Sequence, residues 1–281
     1  MEQQPVSSED PVPERAVRPL LGRGALVTGV SRRDGIGYAV ARRLAAYGAS
    51  VFCHHFAPHD AGQPWGGDDV GAVLEGVRSA CSDPRARVGG AEADLAVADA
   101  PREVFGAARS ALGRVDILVC NHARSGGDAD LAGVTADMLD GHWAVDARSA
   151  LLLAREFAAA RDRAEGGRVV FLTSGQGQGP MPGEVAYAAA KGALAAVTLT
   201  VADELADRGI TVNTVDPGPV QTGYISAGAE AYLMHKMPMG RLGRPDDPAR
   251  LIAWLATDEA CWITGQVLHS EGGFARWRDP S

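Results

Sequence analysis

Residues 24–48 read GALVTGVSRRDGIGYAVARRLAAYG, in which an apolar run, a glycine-rich segment and an amphipathic run follow one another. The apolar run predicts a buried strand, and the amphipathic run predicts a helix. Gly29, Gly35 and Gly37 lie between them, where a turn leads into the helix. Backbone N–H groups and the helix dipole at such a turn attract an anion. This stretch therefore predicts a strand–turn–helix unit that binds a pyrophosphate.

Helical and strand-like stretches continue to alternate after this unit. Strands are predicted over residues 49–54, 87–91 and 115–120, and helices over 70–80 and 101–112. This βαβ rhythm predicts a parallel sheet with helices on both faces. With 281 residues, of which 46% are hydrophobic, the chain can bury one full core. We expect an α/β fold, a single-domain Rossmann-like doubly wound parallel sheet flanked by helices.

The first residues differ in composition from the rest of the chain. Residues 1–19 are rich in Pro, Ser and Glu and predict a flexible tail, so residues 20–281 form the predicted domain. The start of the chain has neither a basic segment nor a hydrophobic stretch, and no uninterrupted apolar run reaches the roughly 18 residues of a membrane span. The net charge is -8, which argues against nucleic acid and anionic membranes as partners. We expect a cytoplasmic protein.

Cysteine and histidine spacing indicates neither disulfides nor a metal site. Cys53, Cys81, Cys120 and Cys261 are scattered without CxxC spacing, which favours reduced thiols. The histidines at positions 54, 55 and 59 have no accompanying cysteine or carboxylate pattern. They lead into a Pro/Gly-rich stretch, residues 57–69, which we expect to be a surface loop at the cofactor or at a subunit contact.

A second stretch that carries chemistry, residues 174–191, reads SGQGQGPMPGEVAYAAAK. Tyr187 and Lys191 are four residues apart in an Ala-rich helical run, so both side chains lie on one helix face. A neighbouring cation stabilises phenolate, and we expect it to lower the pKa of the tyrosine. A tyrosine that exchanges a proton near neutral pH suits carbonyl reduction or alcohol oxidation.

The end of the second predicted strand bears on the choice of nucleotide. His54 and His55 stand where a protein that binds NAD usually presents a carboxylate to the ribose. Arg32 and Arg33 in the glycine-rich turn would hold a 2′-phosphate, although both arginines could also be solvated. The pattern favours NADP(H) over NAD(H). Asp94, after the third strand, either accepts a hydrogen bond from adenine or caps a helix.

Taken together, these motifs resemble the short-chain dehydrogenase/reductase family, similar to its 3-oxoacyl-ACP reductase-like branch. The similarity runs from about residue 22 to residue 273, and Ser174 precedes Tyr187 by 13 residues, the usual spacing in that family. The matching segments are residues 28–37, 94–95, 121–123, 174, 187–191, 213–222 and 263–273.

The resemblance implies a role for each matching residue. Tyr187 would exchange a proton with the substrate oxygen, Ser174 would orient that oxygen, and Lys191 would bind the nicotinamide ribose. Asp146 takes the position of an asparagine that holds a proton-relay water in the family. The expected cofactor-binding residues are Gly29, Ser31, Arg32, Arg33, Gly35, Ile36, Gly37, His55, Asp94, Leu95, Asn121, Lys191, Pro217, Gly218, Val220 and Thr222.

Three features depart from the family pattern. The glycine loop is two residues longer than the commonest form and is similar to that of enoyl reductases, but the Tyr187–Lys191 spacing favours C=O over C=C reduction. His122 replaces a glycine; it either is simply tolerated or lines the pocket. Asp146 replaces the relay asparagine, which puts the activity in question. The resemblance also implies a homotetramer or homodimer through the helix of residues 185–208.

We therefore expect an NADP(H)-dependent oxidoreductase that reduces the ketone of a small carbonyl substrate, or oxidises the alcohol. Residues 219–240 would form a lid, with Tyr224, Tyr232, Met234 and Met237 lining the pocket or packing within the lid. One alternative is a 3-oxoacyl-ACP reductase, although Asp203 stands where carrier-dependent relatives often place an arginine. The other is a non-catalytic NADP(H)-binding homologue of the family.

Overall fold

The computed structural model describes residues 16–161 and 166–275. Most of the predicted tail, residues 1–15, lies outside the described residues, and so do the last six residues of the predicted domain. The strands are β1 (Gly24–Val27), β2 (Ser50–His55), β3 (Val88–Glu92), β4 (Ile117–Cys120), β5 (Gly167–Leu172), β6 (Ile210–Asp216) and β7 (Val267–His269). The α-helices are α1 (Ile36–Ala46), α2 (Ala57–Ala61), α3 (Val70–Arg78), α4 (Ala100–Leu112), α5 (Ala136–His142), α6 (Ser149–Ala159), α7 (Val185–Ala206), α8 (Ala227–Met234) and α9 (Asp246–Leu255).

The strands form one parallel sheet in the order β3-β2-β1-β4-β5-β6-β7. The direction of winding reverses between β1 and β4, which is where ligands bind in open α/β sheets. The predicted fold class is confirmed.

Helices cover both faces of the sheet because residues along each strand alternate between the two faces. In β1, Ala25 and Val27 pack with α1, α3 and α9, whereas Leu26 packs with α4, α6 and α7. All three side chains are fully buried. This two-sided burial explains why β1 reads as a continuous apolar run rather than as an alternating one.

Three stretches differ from the predicted pattern. Residues 57–69 are not a plain surface loop, because they contain α2, which buries Asp60. Between α5 and α6 the chain forms a π-helical segment, Trp143–Arg148. The predicted lid, residues 219–240, contains α8, whose first turn is capped by the Ser226 side chain.

α7 is long and apolar enough, by length and composition, to cross a membrane. Its sequence is apolar nearly all round, with buried side chains that include Leu194 and Ala202 packed in the core. Because it also carries two predicted site residues, Tyr187 and Lys191, we interpret α7 as a core helix of the domain. The helix thus connects the sheet to the candidate site.

Candidate active site

A cavity of about 900 Å³ opens at the carboxyl ends of the strands. The glycine-rich turn after β1 lines it, as do the segments that follow β2 to β6 and the start of α7. It therefore lies at the reversal point of the sheet, where the sequence placed the nucleotide. A second, smaller cavity of about 380 Å³ lies beside the amino end of β1, away from all the predicted site residues.

The glycine-rich turn is shaped by close backbone contacts. Gly29 has a φ of +73°, and a Cβ there would lie 2.8 Å from the side-chain nitrogen of Asn121. A Cβ on Gly37 would lie 2.4 Å from the carbonyl oxygen of Gly29. The Asn121 amide donates hydrogen bonds to the carbonyl oxygens of Thr28 (3.0 Å) and Gly29 (3.1 Å). Asn121 therefore fixes the turn, and only glycine fits at positions 29 and 37.

Gly35 occupies the N-cap position of α1, and no side chain in the described part of the chain caps this end of the helix. Its first backbone N–H groups are thus available to a ligand, and Gly35 and Ile36 line the cavity. This arrangement is typical of a turn that binds the pyrophosphate of a dinucleotide. Leu95 and Val220 also lie along the cavity.

The two histidines at the end of β2 have different surroundings. His54 lines the cavity and donates from Nε2 to the carbonyl oxygen of Ala93 at 2.9 Å. Burial lowers the pKa of His54 to about 4, so this imidazole is neutral at pH 7. His55 does not line the cavity and lies 3.9 Å from a carboxylate oxygen of Glu92. The Asp94 carboxylate lines the cavity and accepts a hydrogen bond from the backbone of Ala96 at 2.8 Å, so it closes a turn.

The two arginines of the glycine-rich turn point in different directions. Arg32 lines the cavity, where its Nε lies 3.1 Å from Asp60. Arg33 does not line the cavity, and its Nε lies 3.3 Å from Asp68, with the side chain 57% exposed. Of this pair, the structure places Arg32 alone in the cavity.

Ser174 and Tyr187 lie together at the other end of the cavity, beside Lys191. Ser174 follows β5, its hydroxyl donates to Sδ of Met181 at 3.9 Å, and its proximity to the Tyr187 phenol acts to lower the pKa of Tyr187. The Lys191 ammonium is buried, lies 5.9 Å from the centre of the Tyr187 ring, and donates to the carbonyl oxygen of Leu172 at 3.1 Å. The three predicted residues are therefore brought together.

The pKa of Tyr187 does not shift in the direction that the sequence predicted. Its enclosure in the cavity raises the pKa, the charges of Asp146 and Glu184 raise it further, and the Ser174 hydroxyl only partly offsets them. Burial also lowers the pKa of Lys191. The prediction from the four-residue spacing was wrong for the protein alone, because spacing in sequence does not report how strongly the cavity encloses the phenol.

Asp146 lies behind the cavity and does not line it. It is 1% exposed, with one carboxylate oxygen 2.6 Å from the backbone nitrogen of Arg124 and the other 2.8 Å from Nδ1 of His142. His142 lines the cavity, and its ring meets the Tyr187 ring edge-on at 5.9 Å. Its Nε2 is buried and has no hydrogen-bond partner among the described residues. The aspartate thus acts on Tyr187 through its charge and through His142.

His122, the other departure, is a hydrogen-bonded part of the cavity wall. Nδ1 lies 2.6 Å from the Thr28 hydroxyl, and Nε2 lies 2.6 Å from the Ser149 hydroxyl. Burial lowers its pKa well below the ordinary value, so the ring is neutral. His122 therefore links Thr28, which follows β1, to Ser149 at the start of α6. A glycine at position 122 could not make these two hydrogen bonds.

Sequence reasoning missed Asp128, which sets the start of α7. Its carboxylate oxygens accept hydrogen bonds from the backbone nitrogens of Ala186 (3.0 Å) and Tyr187 (2.8 Å). Although burial acts in the opposite direction, these bonds lower the pKa of Asp128. An aspartate this far from the helix in sequence gives no local capping signal.

The predicted residues that line the cavity are Gly29, Ser31, Arg32, Gly35, Ile36, Asp94, Leu95, Asn121, Ser174, Tyr187, Lys191, Pro217, Gly218, Val220 and Thr222. Arg33, Gly37, His55 and Asp146 do not line it. Of the lid residues considered, Tyr224 lines the cavity, whereas Tyr232, Met234 and Met237 do not.

Among the described residues, one group has the composition of a metal site. Potential ligand atoms of Asp216, His269 and Glu271 lie within 4.8 Å of one another. Because His269 Nδ1 lies 3.0 Å from an oxygen of Asp216, these two side chains pair directly, and we assign no metal to the group.

Comparisons of the sequence and of the fold with known proteins find similarity to reductases and other oxidoreductases. Residues 29–275 match the family model described as Enoyl-(Acyl carrier protein) reductase. The oxidoreductase YjdA of Bacillus subtilis is 42% identical over 254 residues, which are 90% of this chain and 96% of that protein.

Two solved structures are similar in fold and sequence. One is the promiscuous reductase LugOII, which catalyses keto-reduction at C1 during lugdunomycin biosynthesis; it is 33% identical, with a TM-score of 0.79 and coverage of 91% of this chain and 99% of that chain. The other is the angucycline C-6 ketoreductase LanV with bound NADP, which is 29% identical, with a TM-score of 0.79 and coverage of 91% and 96%.

Proposed function

This chain belongs to the short-chain dehydrogenase/reductase family and is an NAD(P)-dependent oxidoreductase, and from this premise we propose the reaction that it catalyses. We propose that it uses NADP(H) to reduce the ketone of a small carbonyl substrate, or to oxidise the corresponding alcohol. The observation that carries the proposal is that Ser174, Tyr187 and Lys191 meet in the same cavity as the glycine-rich turn.

The cavity fits a nicotinamide dinucleotide at both ends. Gly29 and Gly37 allow the close backbone packing that shapes the turn, and the start of α1 faces the cavity. When bound, the nicotinamide would supply the hydride for reduction of the carbonyl carbon. Lys191 and the turn at Pro217 and Gly218 are the residues that would hold that end of the cofactor.

The chain's own residues handle the proton. Tyr187 donates its phenolic proton to the carbonyl oxygen during reduction, and Ser174 donates a hydrogen bond that orients this oxygen. The raised pKa keeps Tyr187 protonated at neutral pH, which suits the reductive direction. The buried pair of His142 and Asp146 holds the tyrosine ring from behind and occupies the place of an asparagine-and-water relay.

NADP(H) is supported by Arg32 in the cavity and by the missing carboxylate at the end of β2. It is also supported by similarity to a ketoreductase with bound NADP. A carrier-bound 3-oxoacyl substrate is less well supported, because Asp203 is exposed on α7 where a basic residue would attract an acidic carrier protein.

We further propose that the protein works in the cytoplasm as a homotetramer or homodimer that pairs through α7. Leu199 on this helix is 67% exposed, which gives the helix an apolar outer face. The buried, unpaired thiols of Cys53 and Cys120 suit a reducing compartment.

Replacement of Tyr187 by phenylalanine tests the proposed proton transfer. We expect turnover of carbonyl substrates to fall roughly 10²–10⁴-fold, because the variant lacks the donated proton. NADPH affinity, measured by fluorescence titration, should stay nearly unchanged. Tyr232→Phe is the matched control, since Tyr232 is exposed and does not line the cavity. Unchanged turnover in Tyr187→Phe would contradict the proposal.

A further inference from the structure

The segment after β2, residues 57–69, has no role in the reaction described above; we call it the excursion. It begins with α2 and returns towards the glycine-rich turn, so Asp60, Gln63 and Trp65 line the cavity. Asp60 is 8% exposed, an unusual degree of burial for a carboxylate outside an active centre. Its contacts indicate what the excursion does.

Asp60 binds the glycine-rich turn with both carboxylate oxygens. Oδ2 accepts a hydrogen bond from the Ser31 hydroxyl. Oδ1 lies 3.1 Å from Nε of Arg32 and accepts a hydrogen bond of 3.2 Å from the indole nitrogen of Trp65. The carboxylate is therefore the centre of a buried polar cluster with Ser31, Arg32 and Trp65.

Arg32 is held from two further sides. Its guanidinium carbon lies 5.3 Å from the centre of the Trp65 ring, and Nη1 donates to the carbonyl oxygen of Thr222 at 2.8 Å. The Trp65 ring in turn meets the Tyr224 ring edge-on at 5.4 Å. Asp60 and Trp65 thus fix Arg32 between the excursion and the first residues of the predicted lid.

These contacts bear on charge at the adenosine end of the cavity. Arg33 is paired with Asp68 and does not line the cavity, and His54 is neutral at pH 7. Arg32 is thus the cation that a 2′-phosphate would meet at this end of the described cavity, and Asp60 is the carboxylate paired with it. An arriving phosphate would have to compete with Asp60 for Arg32.

We propose that Asp60 sets the cofactor discrimination of this protein: it occupies Arg32 and thereby reduces the preference for a dinucleotide that carries a 2′-phosphate. The preference for NADP(H) over NAD(H) is then smaller than it would be if Arg32 had no carboxylate partner. The inference rests on the dinucleotide binding of the proposed function and does not depend on the carbonyl chemistry. It assigns the excursion a role as a specificity element.

The test is a fluorescence titration of NADPH and NADH on the purified full chain, with the ratio of the two dissociation constants as the readout. Asp60→Asn keeps the shape of the side chain but removes its charge. We expect this variant to favour NADPH over NADH about tenfold more than the parent protein, because Arg32 is then no longer paired with a carboxylate and can pair with the 2′-phosphate. Asp68→Asn, the matched control at the outward Arg33 pair, should leave the ratio unchanged.

Arg32→Ala separates a charge effect from a structural one. If Asp60 acts through Arg32, the Asp60→Asn change should have little effect on the ratio in an Arg32→Ala background. An unchanged ratio in Asp60→Asn would overturn the proposal. Equal losses of NADPH and NADH affinity would overturn it too, because they would mean that Asp60 only holds the excursion in place. A protein that shows the predicted ratios but reduces no carbonyl would refute the proposed reaction alone.

Discussion

Replacing Asp146 by asparagine should shift the pH dependence of alcohol oxidation to lower pH. In the oxidative direction Tyr187 accepts the proton of the alcohol, so it must first be deprotonated. The Asp146 carboxylate raises the pKa of Tyr187, second only to burial. Removing this charge therefore lowers the pKa of Tyr187 and makes the phenolate available at lower pH.

The size of the shift follows from the position of the carboxylate. Asp146 is 1% exposed, so water screens its charge weakly. A like charge close to a titrating group in such surroundings moves a pKa by about one unit, which corresponds to about 1.4 kcal/mol. Asparagine is isosteric and keeps an oxygen for the backbone N–H of Arg124, so the fold should persist.

The assay is the rate of NADP⁺ reduction with a secondary alcohol, measured from pH 6 to 10 for the parent and the variant. Because the pKa of Tyr187 is raised above 10, this whole range lies below the half-maximal pH, and we expect the rate at each pH to rise about tenfold in the variant. Asp140→Asn, at an exposed carboxylate of α5, is the matched control. A rate that stays constant or falls across this pH range in a folded Asp146→Asn variant would refute the coupling between Asp146 and Tyr187.

Two further predictions concern the glycine-rich turn and the sheet. Gly37→Ala should weaken NADPH binding more than tenfold, as measured by fluorescence titration, because its Cβ would lie 2.4 Å from the Gly29 carbonyl oxygen and would distort the turn. Wild-type affinity in this variant would contradict the role of the glycine-rich turn in cofactor binding. Asp116→Asn should destabilise the protein by about 3 kcal/mol in urea unfolding at pH 7, since Asp116 pairs with buried Arg161 at 3.0 Å. Although burial raises the pKa of Asp116, bonds from Arg114, Gly24 and Arg161 lower it overall. Its contribution is therefore present above the unfolded pKa near 3.8 and is lost as the pH falls through the lower folded value, so a parent–variant difference that grows on acidification would refute the assignment.

The fold and the reacting residues were predictable because their signals are local. The strand–turn–helix unit of residues 24–48 is contiguous, and the strand–helix alternation can be read directly from the sequence. Tyr187 and Lys191 share a face because they are four residues apart in one helix. Each of these inferences needs only the geometry of a single element or of neighbouring elements.

Features that depend on tertiary contact were not predictable. Nothing local in the sequence distinguishes the inward Arg32 from the outward Arg33, because their partners Asp60 and Asp68 come from a separate segment. The rise in the pKa of Tyr187 depends on enclosure by distant segments. His142 could have been found, since it stands four residues before Asp146, a spacing that allows side-chain contact in a helix.

The most direct test of the proposed function is the oxidation of NADPH and NADH at 340 nm against diketones, cyclic ketones and 3-oxoacyl thioesters. The parent protein should consume NADPH with at least one small ketone, and Tyr187→Phe should bind NADPH but lose this turnover. Binding of NADPH without turnover of any carbonyl in the panel, by both the parent protein and the variant, would contradict the assignment of carbonyl reduction to this site.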